Sequence, residues 1–597
     1  MNVQQNEEND LKQCLNSIIS VSEFIKSSLG PKSGDKLIVD ENGDIQVSND
    51  GYTILKYLSR SDSSTSSKID LNYDLQEHKK DIEEKDSNSS TVSEKDRNNI
   101  IYQSMIKLLM DSCKTQERSF GDGTTSLIVL VGSLCSQVYQ LFFEKGIKNP
   151  YQIIRVYQDA LDDSLNLLNN LKFNVNLDYN KMIGSEQEQQ KDKEESVSIQ
   201  SVAENSLESK SVSFYRKELS RMAIDAISNL RRSSTTKDGH FELKRIGLHY
   251  LEGSSIENSK LIRGVLLMNK FFSHENMKKS CVGDKEGGDI KVLLLSSTLE
   301  LPKPKTKFEI LITSQEDWQQ LYNYRKEYYE KVIKKLKDLK VDCVFCQWGV
   351  DQELNQLMFT EGIHCVGWVS GDDLDRLSLA SASRVHSDLF QLTSTLELGR
   401  VGIINELVNG STSERYILID ECPLTSIFTI LVRGGSKEMC QEIIQSLRDC
   451  LHVAHGCFTN PTIIPGGGVP ELYLYSNHQY KSESTSFSNS KISIIKDSFY
   501  NALLSLPISI FENSGIDWND EFSTLLQIHK QCIESQSHSS MSMNLNYDYE
   551  LNPQANTNKL IDMKFRVWEL LDLKKSILKL SVETISMIIK IDKSIII

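Results

Sequence analysis

Apolar residues recur at helical spacing near the start of the chain. Leu15, Ile18, Ile19, Phe24 and Ile25 share one face over residues 11–29. Gly30-Pro31 follows, pairing a residue that accepts a left-handed turn with one that cannot continue a helix, so the helix is predicted to stop there. Leu37-Ile38-Val39 and Ile45-Gln46-Val47 then flank Asp40-Glu41-Asn42-Gly43-Asp44. Asn-Gly tolerates the positive φ angles of a tight reversal, which predicts a β-hairpin. Helical patterning returns over 100–113, from Thr124 onward, and at 574–589.

The middle of the chain changes character. Short β-rich runs at 264–267, 292–295, 343–346 and 365–368 alternate with helical segments. The clearest of these helices follows residues 301–307. Thr313 and Glu316 have capping-box spacing. Trp318, Leu321, Tyr322, Tyr329, Val332, Leu336 and Leu339 mark one face, and Lys326, Glu330, Lys334 and Lys337 the other. The pattern predicts an α/β module inserted between two mostly helical halves.

Three stretches break the pattern: 59–99, 184–200 and 535–558, rich in Ser, Asn, Gln, Glu and Lys. Their few apolar side chains cannot offset the entropy of ordering, so they are expected as loops set into a conventional fold. The run 126–143 (SLIVLVGSLCSQVYQLFF) is apolar enough to suggest a membrane span. It carries Ser133, Ser136, Gln137 and Gln140 and is at the short limit for a bilayer, so a buried core helix is the better reading.

Composition narrows the classes. At 597 residues, two to four domains are expected. The formal net charge of -15 argues against sequence-independent nucleic-acid binding, which needs cations to displace condensed counterions. The N-terminus lacks the basic start and apolar run of a secretory signal. The 12 cysteines have no framework spacing, which fits reduced thiols and a cytoplasmic location. Cys343 and Cys346 form a CxxC without further soft ligands nearby in sequence, and they read as buried thiols in a strand rather than a zinc site.

The candidate chemistry lies at Phe120-Gly121-Asp122-Gly123-Thr124-Thr125, where a loop opens the long apolar helix. Small residues let the backbone approach a phosphate, and the helix start offers unpaired N–H groups. Asp122 would repel phosphate unless a divalent cation such as Mg²⁺ lay between them. The plainer alternative is an ordinary turn with Asp122 as the helix cap.

The GDGTT run resembles the nucleotide-binding set of the group II chaperonins, together with SLGPK at 28–32 and SNDG at 48–51. SLRDCL at 446–451, PGGG at 465–468, IDM at 561–563 and Val567-Trp568-Glu569 follow in the family's order. The P-loop pattern GxxxxGK[ST] is absent, as in that family. The resemblance implies a multidomain α+β chaperonin fold. A mostly helical equatorial ATPase domain would come from both chain ends (1–172 and 465–597). A small intermediate domain would comprise 173–246 and 433–464. An inserted α/β apical domain (247–432) would handle substrate and bear a helical protrusion. Arg433-Gly434-Gly435 would fall at the return from apical to intermediate domain, where paired glycines suit a hinge.

The same resemblance implies that Asp122 holds Mg²⁺ on the phosphates of ATP. Asp50 and Asp449 would orient and polarise the attacking water. Gly30, Pro31, Asn49, Gly51, Gly121, Gly123, Thr124, Thr125, Ser209, Gly466 and Gly467 would contact the nucleotide. Asp562 would take the ribose hydroxyls, and Glu569 and Lys574 would lie on the base side. Three departures from the pattern stand out: Glu208 replaces the usual glycine before Ser209, Ser33-Gly34 follows SLGPK, and Pro470 follows GGG-Val. The implied partners are paralogous subunits of a double-ring hetero-oligomer and unfolded client proteins, with no nucleic acid and no membrane. Two other readings remain open: a chaperonin-like assembly factor without effective hydrolysis, and a phosphotransferase, for which no acceptor motif is present.

Overall fold

The computed structural model describes residues 2–39, 43, 45–59, 94–175, 198–233, 243–268, 290–302, 314–392, 398–408, 415–422, 427–484, 490–519, 522–523, 526 and 567–591. Most of the three polar stretches lies outside these residues, as do Thr313, Asp562 and the IDM run. The chain divides into two compact units, residues 1–216 with 448–597 and residues 217–447. Both divisions fall in helices, at the start of Arg216–Ser233 and inside Lys437–Thr459.

The first unit is a helical assembly built from both chain ends. At its centre is the helix Thr124–Tyr139, in which Leu127 to Val131 are buried without a break. A helix apolar on every side is stable in water only when neighbours surround it. Here the neighbours are Asn2–Lys26, Glu94–Phe120, Lys491–Leu503 and Leu571–Ile589. The stretch that could have read as a membrane span is therefore a mostly buried core helix. Gly132 faces Ser22 of the first helix so closely that no Cβ would fit. The first helix ends at Lys26, three residues earlier than its apolar pattern suggests. Ser28 and Leu29 continue in tighter turns, and Gly30 makes the reversal at φ 99°. The predicted hairpin forms between Lys36–Val39 and Ile45–Ser48, with Val39 paired to Ile45. A three-stranded sheet places Thr462–Pro465 between Trp568–Leu570 and Phe173–Asn174, joining late and early chain segments.

The second unit is α/β. Ile290–Leu295, Cys343–Cys346 and His364–Val366 run parallel, with Val385–His386 parallel and Gly399–Val401 antiparallel on the far edge of the first strand. Side chains alternate across the sheet. Leu293, Leu295, Val344 and Cys346 meet Tyr329, Val332 and Leu336 on one face. Val292, Leu294, Cys343 and Phe345 meet Leu374 and Leu377 on the other. Strands covered on both faces read as continuous apolar runs, which is why the sequence exposed them. The CxxC is one such strand, its thiols pushed up by burial, Cys346 to about 11. Two three-stranded sheets, the first antiparallel and the second mixed, complete the unit. Ile403–Val408, Arg415–Asp420 and Gly264–Leu267 form one. Phe428–Gly434 lies between Ile246–Glu252 and Lys260–Ile262 in the other.

Three expectations need correction here. The long helix is Gln315–Leu339, and its capping box uses Ser314 and Asp317, one residue later than the Thr313/Glu316 spacing. The buried face begins only at Tyr329. Trp318 and Tyr322 are exposed, because 25 residues of helix span about 37 Å and outreach the four-residue strands beneath. The run 365–368 also ends earlier, at Val366, since Trp368 adopts a left-handed φ of 59° that a strand cannot contain. Gly434 does not need glycine's backbone freedom, for its φ is not positive. It admits the Cys440 sulfur to 2.7 Å from where a Cβ would sit.

Gly132→Val should push the first helix from the core helix. We expect about 1–3 kcal/mol of destabilisation from overpacking, read as a lowered midpoint in urea unfolding of the full chain.

Candidate functional site

The site lies within the first unit and is built on helix starts. Asp50 caps Gly51–Leu58. Its Oδ2 accepts from Thr53 N (2.9 Å) and Thr53 Oγ1 (2.8 Å), while Oδ1 accepts from Thr124 Oγ1 (2.7 Å). Gly51 N donates to Thr125 Oγ1 at 3.1 Å. Two helix starts, far apart in sequence, are thus tied by the two threonine hydroxyls. Gly51 permits this approach, because a Cβ there would lie 2.8 Å from Ile128 Cδ1 and 3.0 Å from Thr125 Cα.

The loop before Thr124 turns twice through positive φ, at Gly121 (69°) and Gly123 (83°). Gly123 caps the long helix without a side-chain bond. Asp122 is not the cap of the plainer reading. Its Oδ1 accepts from Gly123 N at 2.6 Å, and its carbonyl accepts from Gln116 Nε2 at 3.0 Å. Gln116, fully buried, also accepts from Ser576 Oγ at 2.7 Å, bracing the loop against the C-terminal helix.

Asp449 completes the group from the helix Lys437–Thr459. It is buried and paired with Lys210, and its other oxygen, Oδ1, has no hydrogen-bond partner among the described residues. Burial, then the nearby carboxylates Asp50, Glu117 and Asp122, hold its carboxyl well above the ordinary range despite Lys210. Burial likewise raises Asp122, opposed by Lys210 and reinforced by Glu569 and Asp50. For Lys210 the loss of water favours the neutral form, but the charges of Asp449, Asp122 and Asp50 outweigh it and hold the ammonium charged. One lysine is shared by three carboxylates that the sequence separates by up to 399 positions.

A second cluster borders the first. Lys574 is buried between Glu471 (2.9 Å) and Glu569 (2.8 Å). Glu569 Oε1 accepts from Gly467 N at 3.3 Å, and Gly466 packs on the Glu569 side chain. Gly467 has φ 66° and open space where a Cβ would point. Asn49 donates to the Ser209 carbonyl and to Ser33 Oγ (3.4 Å), linking the loop that follows Gly30 and Pro31 to the Lys210 segment. Ser209 has ordinary right-handed backbone, so Glu208 causes no strain there and instead pairs with Arg216 at 2.8 Å. Pro470 sits in the first turn of Val469–Ser484, where its missing N–H costs nothing.

Of the expected residues, Asp50, Gly51, Asp122, Gly123, Thr124, Thr125 and Asp449 converge directly, and Gly466, Gly467, Glu569 and Lys574 form the adjoining cluster. Lys574 is an ion-pair anchor within that cluster rather than a free contact. Lys210, Glu471 and Gln116 were missed. Lys210 was adjacent to Ser209 and could have been flagged. Glu471 reads in sequence as an ordinary acidic residue in a first helical turn, with no sign of burial.

No group of three or more His, Cys, Asp or Glu among the described residues could hold a metal alone. A single carboxylate can suffice for Mg²⁺, which keeps waters and phosphate oxygens as its other ligands. The unpartnered Asp449 Oδ1, the open face of Gly467 and the excess of carboxylates over lysine all fit a polyanion bound with a divalent cation.

Such a site, opening a buried helix in a two-ended helical unit with an α/β insertion, belongs to a nucleotide-driven machine rather than to a P-loop enzyme. The chain is a member of the TCP-1/cpn60 chaperonin family, whose model matches residues 21–66 and 100–597. It is similar to thermosome subunit alpha of Archaeoglobus fulgidus, 24% identical over 513 residues, covering 86% of this chain and 80% of that protein. It is equally similar to thermosome subunit beta of the same organism, 24% identical over 575 residues, covering 96% and 89%. Membership in this family implies ATP-driven protein folding.

Lys210→Met should leave Asp449 buried without its cation. We expect about 3–5 kcal/mol of lost stability near pH 8, read by thermal or urea unfolding. Because burial raises the folded pKa of Asp449 above its ordinary 3.8, the penalty should be complete only above the raised pKa. It should shrink as the pH falls toward 3.8 and Asp449 takes up a proton.

Proposed function

We propose that this chain is an ATP-hydrolysing subunit of the hetero-oligomeric double-ring chaperonin of the eukaryotic cytoplasm, and that it is of the epsilon type. The observation carrying the ATPase reading is the gathering of Asp50, Asp122 and Asp449 around Lys210. The subunit type rests on the stretches 38–51, 301–307 and 346–355, which are similar to the epsilon subunit, while 241–267 is similar to the start of the family's substrate-facing domain. The division into equatorial, intermediate and apical domains at 172, 246, 432 and 464 is part of the same reading. So are its paralogous ring partners and unfolded clients.

Mg²⁺ would supply charge neutralisation on the phosphates, held by Asp122. The chain's own residues do the positioning that phosphoryl transfer requires. Thr124 and Thr125 lock the two helix starts, so the N–H groups at 124–126 would meet bound phosphates without rearrangement. Asp449 Oδ1, buried and without a protein partner, is free to accept a hydrogen bond from the attacking water. Asp50 faces the same space, oriented by three hydrogen bonds. Lys210 would move from Asp449 toward the terminal phosphate as that charge arrives, freeing the carboxylate for the water. Its raised basicity keeps it a cation throughout.

Asp449→Ala should still bind ATP while turnover falls at least about a hundredfold, the low end for a positioned base. The measurement needs the chain assembled alone, since neighbouring subunits would mask it. Unchanged turnover would remove Asp449 from the reaction.

A further inference from the structure

The helix that carries Asp449 presents Asp449, His452 and Gly456 at spacings of three and four, on one face. That face makes two close approaches. At one end of it, Gly456 lets Leu570 come within 2.6 Å of a Cβ position, beside Glu569. At its middle, His452 packs on Gly121: a Cβ built there would lie 2.6 Å from His452 Cβ, 2.7 Å from Cγ and 2.9 Å from Cδ2. Gly121 is buried, and its side-chain direction is filled by this imidazole rather than left open to a ligand. Its neighbour Asp122 is the residue assigned to the cation. Burial, with His455 and Arg448 nearby, lowers the His452 pKa, so the ring is a neutral plate.

We infer that His452 is a positioning residue for hydrolysis. Seated on the bare Cα of Gly121, it fixes the separation between the Asp449 helix and the Asp122 loop. The inference rests on the ATPase reading above. Nucleotide binding depends on the loop and the threonines, which His452 does not touch in any described hydrogen bond. Hydrolysis depends on Asp449 standing at the right distance from the loop. A change at His452 therefore alters turnover more than affinity.

The test uses the full chain assembled alone, measuring kcat and KM for ATP and, separately, ADP binding by calorimetry. For His452→Ala we expect kcat to fall about tenfold or more, with KM and ADP affinity within about threefold. Gly121→Ala should be slower still, because its methyl meets the Cβ and ring of His452 and because the φ of 69° there disfavours any side chain. Adding His452→Gly to it, which removes the Cβ at 2.6 Å as well as the ring, should raise kcat at least about threefold above the Gly121→Ala value, a compensation that two merely structural lesions would not show. A kcat for His452→Ala within about twofold of the unmutated chain, or a double variant no faster than Gly121→Ala, overturns the inference. Absence of turnover in the unmutated assembly overturns the ATPase reading and this inference together, which separates the two failures.

Discussion

Three carboxylates gathered around a single ammonium are the constraint on which the rest of this molecule depends. Asp449 is buried and Asp50 and Asp122 are half-buried, and one lysine cannot balance three negative charges. The arrangement persists only because other forces hold it. Asp50 is fixed by a helix cap and two threonines, Asp122 by its own loop and Gln116, and Asp449 by a helix buried along one side. The excess negative charge is a stored demand for cations.

The scaffold around it explains how such a strained group is tolerated. The helix Thr124–Tyr139 is apolar over most of its surface and is packed against helices from both chain ends. Its first turn therefore cannot shift without disturbing the core. Close approaches at Gly51, Gly121, Gly123 and Gly132 bring a neighbour's backbone or side chain where a Cβ would keep elements apart. The Lys574 cluster plays a similar part on the far side, pinning the Gly466-Gly467 turn through Glu569. Folding energy from apolar burial thereby holds polar groups in positions they would not choose alone.

Much of this was legible residue by residue. Alternation and β-rich composition located the strands 292–295 and 343–346, since doubly covered strands are apolar throughout. Asn-Gly located the hairpin, and the run after GDGTT gave the core helix. The errors came where neighbours decide. The stripe on Gln315–Leu339 looked apolar from Trp318, but no sequence rule says where a helix outruns its sheet. The cap one residue from the expected place reflects two overlapping S/T-x-x-D/E patterns that local chemistry cannot rank. Glu471 gave no local signal, because an exposed ion and a buried one are written with the same letter, and Lys210 was marked only by its neighbour Ser209.

The amino-acid sequence alone determined the elements and their chemistry: period 3.6 or 2, glycines where the backbone must turn or approach, and an acidic glycine loop at a helix start. These are properties of neighbours along the chain, fixed by sterics and by spacing. Tertiary structure alone decided that Asp50, Asp122, Asp449 and Lys210 meet, that Lys574 is an anchor, and that His452 faces Gly121. Those are matters of distance through space, and electrostatics and packing act across ångströms rather than residue numbers.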